Sequence, residues 1–239
     1  MSLSLQDNIT LYNSEKDYDY FLNKDHKIRA EISIQLIKEV TNKKIKNTSK
    51  LLSIACSTGV IEEKMKNELG LTVYGIDGAK KSLITARKRG VIVKLADVSK
   101  PLPFKSSFFD FVFAGEIIEH LFDPKSFIKE VSRVLKPAGY LVLTTPNLAR
   151  ISDRLKFLFG KTPRQIAPLH PYLYLHIRPF TVDLLKSLLE LYNFENITLR
   201  TNVIVLDSFG KELKIYSKLI TRLFPSFGST LIIRAQKGL

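Results

Sequence analysis

Two carboxylates and an imidazole lie close together in the segment Glu116-Ile117-Ile118-Glu119-His120. The apolar run Phe109–Ala114 comes just before them and is typical of a buried strand, so the segment is expected at one edge of a sheet. Because an imidazole has a pKa near neutrality, His120 can act as a general base toward a hydroxyl nucleophile. Glu119 can orient that imidazole. The pattern therefore predicts a proton-transfer site.

Small residues end a second apolar run, Leu51–Cys56, just before a helical pattern. Ala55, Ser57 and Gly59 leave room for a ligand to approach the backbone. The first N–H groups of the following helix have no partner within that helix and can face the ligand. This turn is poor in glycine, so it indicates a ligand site only together with other strand ends.

Acidic residues follow the next two strand patterns. Asp77, followed by Gly78, can accept hydrogen bonds from ribose hydroxyls. Asp97, followed by the backbone N–H of Val98, suits the edge of an adenine ring. A lone Asp after a strand is usually a helix cap or turn residue, but the order of the strand ends favours a nucleoside site. The chain has neither the G-x-G-x-x-G of dinucleotide enzymes nor a P-loop.

Alternating strands and helices must position these residues. Their order predicts an α/β fold with a mostly parallel sheet and helices on both faces, and ligands bind at the carboxyl ends of such strands. The predicted strands are 51–56, 73–76, 91–95, 109–114 and 140–145, and the predicted helices are 26–40, 59–69, 79–89, 124–135 and 181–192. Ile197–Leu206 and Ser229–Ala235 are expected to be antiparallel strands that end the sheet, and Lys211–Phe224 a basic amphipathic helix. His26 is interpreted as a helix-start residue.

Residues 51–147 resemble the class I S-adenosylmethionine-dependent methyltransferases. The matching segments, in order, are LLSIACSTG, VYGID, LADVSKPLPF, FDFVFAGEIIEHLFDP and FIKEVSRVLKPAGYLVLTTPN, and HIRPFTVDLLKSLLELYNF extends the resemblance to about residue 194. The likeness is to the small-molecule (type 11) branch, which includes ubiquinone-pathway O-methyltransferases. It implies a Rossmann-like sheet of seven strands. It also implies a cap helix in residues 1–50 and a methyltransferase domain over 51–239, with a lid insertion at about 148–180.

The resemblance implies S-adenosyl-L-methionine as the cofactor. The residues carried over are Ser53, Ala55, Ser57 and Gly59 near the methionine part, Asp77 and Gly78 at the ribose, Asp97 and Val98 at the adenine, and Glu116 beneath the sulfonium. His120, Glu119 and His176 are the candidate catalytic residues.

Two departures from the family pattern concern the first of these turns. The family usually has an acidic residue where Ser53 stands, and glycines at 55 and 57. Loss of the carboxylate at 53 weakens contacts near the cofactor's amino group, so Ser53→Asp is expected to tighten cofactor binding. The departure also leaves open an inactive, cofactor-free descendant.

The E-x-x-E-H pattern also resembles a metal-binding pattern of small-RNA 2′-O-methyltransferases and some ubiquinone-pathway enzymes. Glu116, Glu119 and His120, with His176 or His170, would then hold a divalent ion that acidifies the substrate oxygens. In a third interpretation, His120 only packs the cofactor loop. We favour the general base over the metal, because the 56 residues between His120 and His176 (176 − 120) contain many loop signals.

The charge composition indicates which classes of partner the protein could bind. The 239 residues include 37 Lys and Arg against 23 Asp and Glu, a net charge of +14. Such an excess attracts phosphate backbones, anionic lipid surfaces or acidic substrates, or serves solubility alone. Residues 151–160 and 211–224 combine apolar and basic side chains. They are interpreted first as a cap over the substrate pocket and second as a peripheral membrane contact.

The expected location is the cytoplasm. The chain contains one cysteine, Cys56, which is interpreted as a small apolar residue and cannot form an internal disulfide. It has no apolar run of the ~18 residues that a membrane span needs. Its N-terminus lacks the basic and apolar regions of a secretory signal.

The predicted function is methyl transfer from S-adenosylmethionine to a small-molecule acceptor, at a hydroxyl oxygen. One alternative is a metal-assisted RNA 2′-O-methyltransferase, which needs a nucleic-acid partner. The other is a binding module that kept the fold without the chemistry. The sequence encodes neither the acceptor's identity nor the oligomeric state.

Overall fold

The computed structural model describes residues 21, 23–41, 49–166, 175–208 and 211–239. The helices are α1 (Lys24–Thr41), α2 (Val60–Leu69), α3 (Lys80–Lys88), α4 (Pro124–Val134), α5 (Ile151–Leu158), α6 (Val182–Glu190) and α7 (Lys218–Leu223), with 3₁₀ turns at Ile118–His120, Arg164–Ile166 and Pro225–Phe227. The strands are β1 (Lys50–Ile54), β2 (Thr72–Asp77), β3 (Ile92–Leu95), β4 (Phe109–Gly115), β5 (Leu135–Pro146), β6 (Phe194–Arg200), β7 (Ile204–Ser208), β8 (Lys211–Ile215) and β9 (Thr230–Lys237).

Seven strands form one sheet in the order β3-β2-β1-β4-β5-β9-β6. Strands β1 to β5 pair in parallel, whereas β9 is antiparallel to both of its neighbours, β5 and β6. The predicted α/β fold with a mostly parallel, seven-stranded sheet is confirmed. The strand order reverses between β1 and β4, so the carboxyl ends of β1, β2 and β4 meet where such sheets bind ligands.

Helices cover both faces of the sheet because successive side chains of a buried strand point to opposite faces. Leu52 and Ile54 of β1 pack in one apolar cluster with Phe127 of α4 and Leu185 of α6. Leu51 packs in a second cluster, which includes Ile37 of α1, Met65 of α2 and Ala86 of α3. Leu51, Leu52 and Ile54 are all buried, so β1 is packed on both faces of the sheet.

Helix α1 packs against the sheet and is also tied to the second half of the chain. Asp25 in its first turn accepts hydrogen bonds from Lys214 Nζ and Tyr216 Oη, both at 2.7 Å. Arg234 of β9 donates to the carbonyl of Leu36 and to Glu39. Since α1 begins at Lys24, the predicted place of His26 at a helix start is confirmed.

The antiparallel strands expected at the end of the sheet are present as β9 and β6, which pair with each other, but two details differ. The single strand expected at 197–206 is divided into β6 and β7, because Thr201 and Asn202 leave the sheet. The Asn202 side chain donates to the carbonyl of Asp25 and accepts the N–H of Val203, which replaces ladder hydrogen bonds. Only β9 runs against the core strands; β6 has the same direction as β5.

The amphipathic helix expected over Lys211–Phe224 is wrong in its first half. Residues Lys211–Ile215 form β8, which pairs with β7 in a hairpin. Ser217 then caps the short helix α7 by accepting the N–H of Ile220. The alternation of polar and apolar residues in Glu212–Ile215 has the period of a strand, and this local period determines the structure.

The two apolar-basic segments lie on one side of the molecule. Arg154 of α5 donates to the carbonyl of Ser226, just after α7, and its guanidinium lies 4.9 Å from the centre of the Phe227 ring. Lys156 of α5 pairs with Asp207 of β7 at 2.6 Å. Phe157, Leu158 and Phe159 nevertheless remain 68%, 76% and 74% exposed. Within the described residues, no helix has the length and apolar character that crossing a bilayer requires.

Candidate cofactor and acceptor site

The turn after β1 has an unusual backbone conformation. Ala55 and Ser57 have φ values of +60° and +47°, in the left-handed region that favours glycine. A residue with a Cβ costs about 1–2 kcal/mol there. This explains physically why the family places glycines at these positions. The chain keeps the turn's shape despite the strain, as is typical of functional sites.

Gly59 sits at the start of α2, where no other residue fits. Its φ is +78°, and an added Cβ would lie 2.9 Å from Cα of Ala86 in α3. The glycine therefore permits both the turn and the close approach of the two helices. Cys56 is buried against Gly75, and burial raises the pKa of its thiol. It behaves as the small apolar residue that was predicted.

Asp77 joins two of the strand-end loops. One carboxylate oxygen accepts the N–H of Ser57 and the other the N–H of Ala79, both at 2.8 Å. Burial raises the pKa of Asp77, and these hydrogen bonds, with one from Gly78, oppose that effect. Each carboxylate oxygen has a second lone pair, so the anchored side chain can still accept from a diol.

Asp97 and Val98 lie in the loop after β3, beside the end of β2. Asp97 Oδ1 accepts hydrogen bonds from the N–H and the hydroxyl of Ser99, and Val98 is buried. The loop is therefore shaped locally by a side-chain turn, as expected for Asp after a strand. An apolar side chain and a backbone N–H at Val98 are the groups that the predicted adenine contact requires.

Glu119, His120 and His176 come together, although 56 residues separate the two histidines (176 − 120). One ligand atom of each lies within 4.8 Å of those of the other two. The imidazole rings of His120 and His176 meet edge to face, with centroids 4.9 Å apart. His170, the other histidine considered, lies outside the described residues.

The protonation states in this cluster follow from burial. Burial raises the pKa of Glu119 well above its usual range, and the charge of Glu116 adds to this. Glu119 Oε2 accepts from Thr145 Oγ1, whereas Oε1 is buried with no hydrogen-bond partner in the described part of the chain. Burial lowers the pKa of His120, despite opposing effects of the Leu175 carbonyl and Glu116. Both shifts favour the uncharged form of each side chain, so a neutral imidazole lies beside a carboxyl group that lacks one hydrogen-bond partner among the described residues.

The ring orientation of His120 is fixed from outside the cluster. Its Nδ1 lies 3.0 Å from the carbonyl oxygen of Leu175, which can only accept, so the neutral ring carries its proton on Nδ1. The lone pair is then on Nε2, which lies 4.0 Å from Oε1 of Glu119. This is the atom that can take a proton or bind a metal.

Glu116 does not join the cluster. It adopts φ +51° directly after β4, and its carboxylate pairs with Arg29 Nη1 at 2.7 Å and accepts from Thr144 Oγ1 at 2.8 Å. Sequence reasoning missed Arg29, which α1 brings into the site from a distance of 87 residues (116 − 29). No local signal distinguishes it from the other basic residues of that helix.

Ser53 and Glu62 form a second contact that sequence reasoning missed. The Ser53 hydroxyl donates to Glu62 Oε1 at 2.6 Å, and the two residues are 1% and 3% exposed. Burial raises the pKa of Glu62 to about 7, although the bond from Ser53 opposes this. A carboxylate is thus present beside position 53, but it comes from α2.

Comparisons with known proteins place the similarity in the part of the chain that includes β1 to β5. The profile of the methyltransferase domain family matches residues 52–143. A ubiquinone biosynthesis O-methyltransferase of Pelagibacter ubique is 37% identical over 128 residues, which are 52% of this chain and 48% of that protein. The human mitochondrial ubiquinone biosynthesis O-methyltransferase is 28% identical over 128 residues, 50% of this chain and 34% of that protein. The chain thus spans a third to a half of these relatives' length.

A solved structure shows the same fold over the whole chain. It is described as an S-adenosylmethionine-dependent methyltransferase, possibly a histamine N-methyltransferase, from Thermotoga maritima. It covers 99% of this chain and 100% of its own, with a TM-score of 0.64 and 21% identity. The likeness at this level of identity concerns the fold, which is that of an S-adenosylmethionine-dependent methyltransferase. Residues 52–143 are therefore similar to the methyltransferase domain family, and the likeness to the solved structure extends the shared fold to the rest of the chain.

Proposed function

We propose that this protein transfers a methyl group from S-adenosyl-L-methionine to a hydroxyl oxygen of a small-molecule acceptor. The observation that carries the proposal is the position of His120 in the turn that follows β4, where the Leu175 carbonyl lies 3.0 Å from Nδ1 and leaves the lone pair on Nε2. This turn shares the sheet edge with the loops expected to bind the cofactor. The matched relatives that are named O-methyltransferases support oxygen as the acceptor atom.

The main role of the protein is to align the acceptor oxygen, the methyl carbon and the sulfur, because the sulfonium is already an activated methyl donor. The acceptor oxygen attacks the methyl carbon, the C–O bond forms as the C–S bond breaks, and the sulfur leaves as a neutral thioether. The hydroxyl proton moves to His120 Nε2, and solvent later removes it. The carboxyl group of Glu119, whose Oε1 lies 4.0 Å from Nε2, can orient the imidazole.

Replacement of His120 tests this role. We expect His120→Ala to lower turnover by roughly 10²–10⁴-fold with little change in cofactor affinity. Because the pKa of His120 is lowered, the wild-type rate should fall with acidity only below the usual histidine range, and the variant should lose that limb. Release of S-adenosylhomocysteine with a panel of phenols, catechols and alkyl alcohols measures the rate. If His120→Ala keeps the wild-type turnover, His120 is not the general base.

A divalent cation at the same cluster is a second candidate, favoured by the orphaned Oε1 of Glu119. Glu119, His120 and His176 offer one carboxylate and two imidazoles, a donor set that suits transition metals and Zn²⁺. The carbonyl behind His120 is the outer partner that a metal-binding histidine usually has. When bound, the ion would polarise the acceptor oxygen and so acidify its hydroxyl.

Metal titration separates the two candidates without an acceptor. If the cluster holds an ion, calorimetry with Mn²⁺ or Zn²⁺ alone should show binding that Glu119→Gln and His176→Ala both weaken. Chelation should then abolish turnover. His26→Ala is the matched control, since His26 lies outside the cluster. Full activity in excess chelator, with no heat of metal binding, leaves the general base as the explanation.

A further inference from the structure

Glu62 is a buried acid without a cationic partner. It is the third residue of α2, directly behind the strained turn after β1, and it is 3% exposed. Among the described residues it forms no ion pair: the nearby guanidinium of Arg89 pairs instead with Glu63 at 3.2 Å. A buried carboxylate in this state is costly, and a well-packed apolar or amide side chain would be cheaper.

The contact with Ser53 gives the acid a defined position. The Ser53 hydroxyl holds one carboxylate oxygen at 2.6 Å. Ser53 stands at the strand position where the family usually carries the acid itself, two residues before Ala55. The carboxylate of Glu62 therefore occupies the neighbourhood of the missing side chain, although it belongs to a different element.

We infer that Glu62 binds the ammonium group of the cofactor's methionine part, with Ser53 as its positioning residue. The inference rests on S-adenosylmethionine being the cofactor, and it deepens the proposed function by locating one subsite. A cationic ligand at this place explains why an otherwise unpaired acid is kept in the core. It also predicts that Ser53 does not weaken cofactor binding, because the carboxylate is provided by α2 and not by β1.

Two ligands that differ in the amino-acid part provide the test. S-adenosylhomocysteine carries the ammonium group, whereas 5′-methylthioadenosine lacks it but keeps the adenosine and the sulfur. In titration calorimetry on the full chain, Glu62→Gln should weaken S-adenosylhomocysteine by about 10-fold or more and leave 5′-methylthioadenosine unchanged. Glu63→Gln is the matched control, because its half-exposed carboxylate is adjacent in sequence and pairs with Arg89. It should change neither affinity.

The pH dependence gives a signature that a purely structural role would not produce. Only the ionised carboxylate attracts an ammonium group, so wild-type affinity for S-adenosylhomocysteine should fall as the pH drops below about 7. The other charged groups that act on this carboxylate are Asp77, which raises the pKa of Glu62, and Arg89, which lowers it. Asp77 is expected at the ribose, which both ligands share, so its titration should affect both ligands alike. Glu62→Gln should lose this dependence. The double variant Ser53→Asp, Glu62→Ser returns the acid to the strand and should restore affinity to within about threefold of wild type.

Each result decides a different question. Equal weakening of both ligands in Glu62→Gln, or no weakening at all, overturns the role of Glu62 while the proposed function stands. If the wild-type chain binds neither ligand, the proposed function fails and this inference fails with it. Thermal unfolding of each variant establishes that the compared proteins are folded, and the double variant tests the inference again should Glu62→Gln not fold.

Discussion

At position 53 the side chain ends in a hydroxyl whose oxygen lies 2.6 Å from the carboxylate of Glu62. The sequence shows two acids in a row, Glu62 and Glu63, in the first turn of a helix, where acids are common for electrostatic reasons. Nothing in that pattern says that one is buried and the other exposed. Ser53 alone therefore predicts that this site lacks a carboxylate. In the structure, the carboxylate of Glu62 lies beside Ser53.

This contact reverses the effect expected of Ser53→Asp. An aspartate at 53 places a second buried carboxylate against Glu62, so the variant should be less stable, by roughly 1–3 kcal/mol, and should bind the cofactor more weakly. Because the pKa of Glu62 is raised to about 7, the acid is mostly protonated at pH 6 and charged at pH 8. The loss of stability should thus be larger at pH 8. Urea unfolding at both pH values measures it, and Ser53→Ala is the control. A Ser53→Asp variant as stable as wild type at pH 8 would contradict the contact.

At the scale of elements, local patterns predicted most of the core. The strands and helices from β1 to β5 follow from short apolar runs and helical spacing. In the structure, Asp123 caps α4 by accepting the N–H of Ser126, and Thr181 caps α6 by accepting the N–H of Leu184. The hairpin of β7 and β8 was missed because its period-two pattern covers few residues and lies beside a true helix. Arg29 was missed because its partner is far along the chain, and long-range pairings leave no local signal.

Two glycines offer a matched test of how α2 packs. Gly59 and Gly70 both have positive φ, but an added Cβ meets the backbone of Ala86 only at Gly59 and finds open space at Gly70. Gly70→Ala should therefore cost about 1 kcal/mol from backbone strain alone. Gly59→Ala should cost a further 1–3 kcal/mol, because α2 and α3 must separate. Urea unfolding measures both costs, and equal costs for the two variants would show that the helices do not constrain the turn.

At the scale of the whole molecule, charge and exposed apolar surface coincide. Residues 151–166 and 211–227 contain eight Lys and Arg and two Asp and Glu (8 − 2 = +6), close to half of the net charge of +14. The same side carries Phe157, Leu158 and Phe159 at the end of α5, and Leu219 and Leu223 of α7, each more than 60% exposed. If these segments covered a pocket, such residues would be buried. Their exposure therefore favours the second interpretation of the sequence, a membrane contact.

We predict that this side of the protein binds anionic lipid vesicles. Exposed aromatic and aliphatic side chains ringed by basic residues insert at the headgroup level, and each nearby cation contributes about 1 kcal/mol with acidic lipids. The protein should co-sediment with phosphatidylglycerol vesicles, less with phosphatidylcholine vesicles, and less at high salt. The double change Phe157→Ser, Phe159→Ser should abolish binding, while Leu191→Ser, 63% exposed at the end of α6, should not. Equal binding by both variants would exclude this surface.

The segment that holds His120 in place has an evolutionary consequence. The carbonyl of Leu175 fixes the imidazole, and the N–H of Arg178 donates to the carbonyl of Glu119 at 3.0 Å. Leu175 and Arg178 both lie in the segment expected to form the lid, at about residues 148–180. Surface loops of this kind carry binding residues and vary more than the core. If His120 is the base and this segment is the lid, the part of the chain that selects the acceptor also positions the group that activates it. A lid borrowed from a relative would bring a different carbonyl to His120, and with it a different basicity, so a new acceptor and a new optimum pH would arise together.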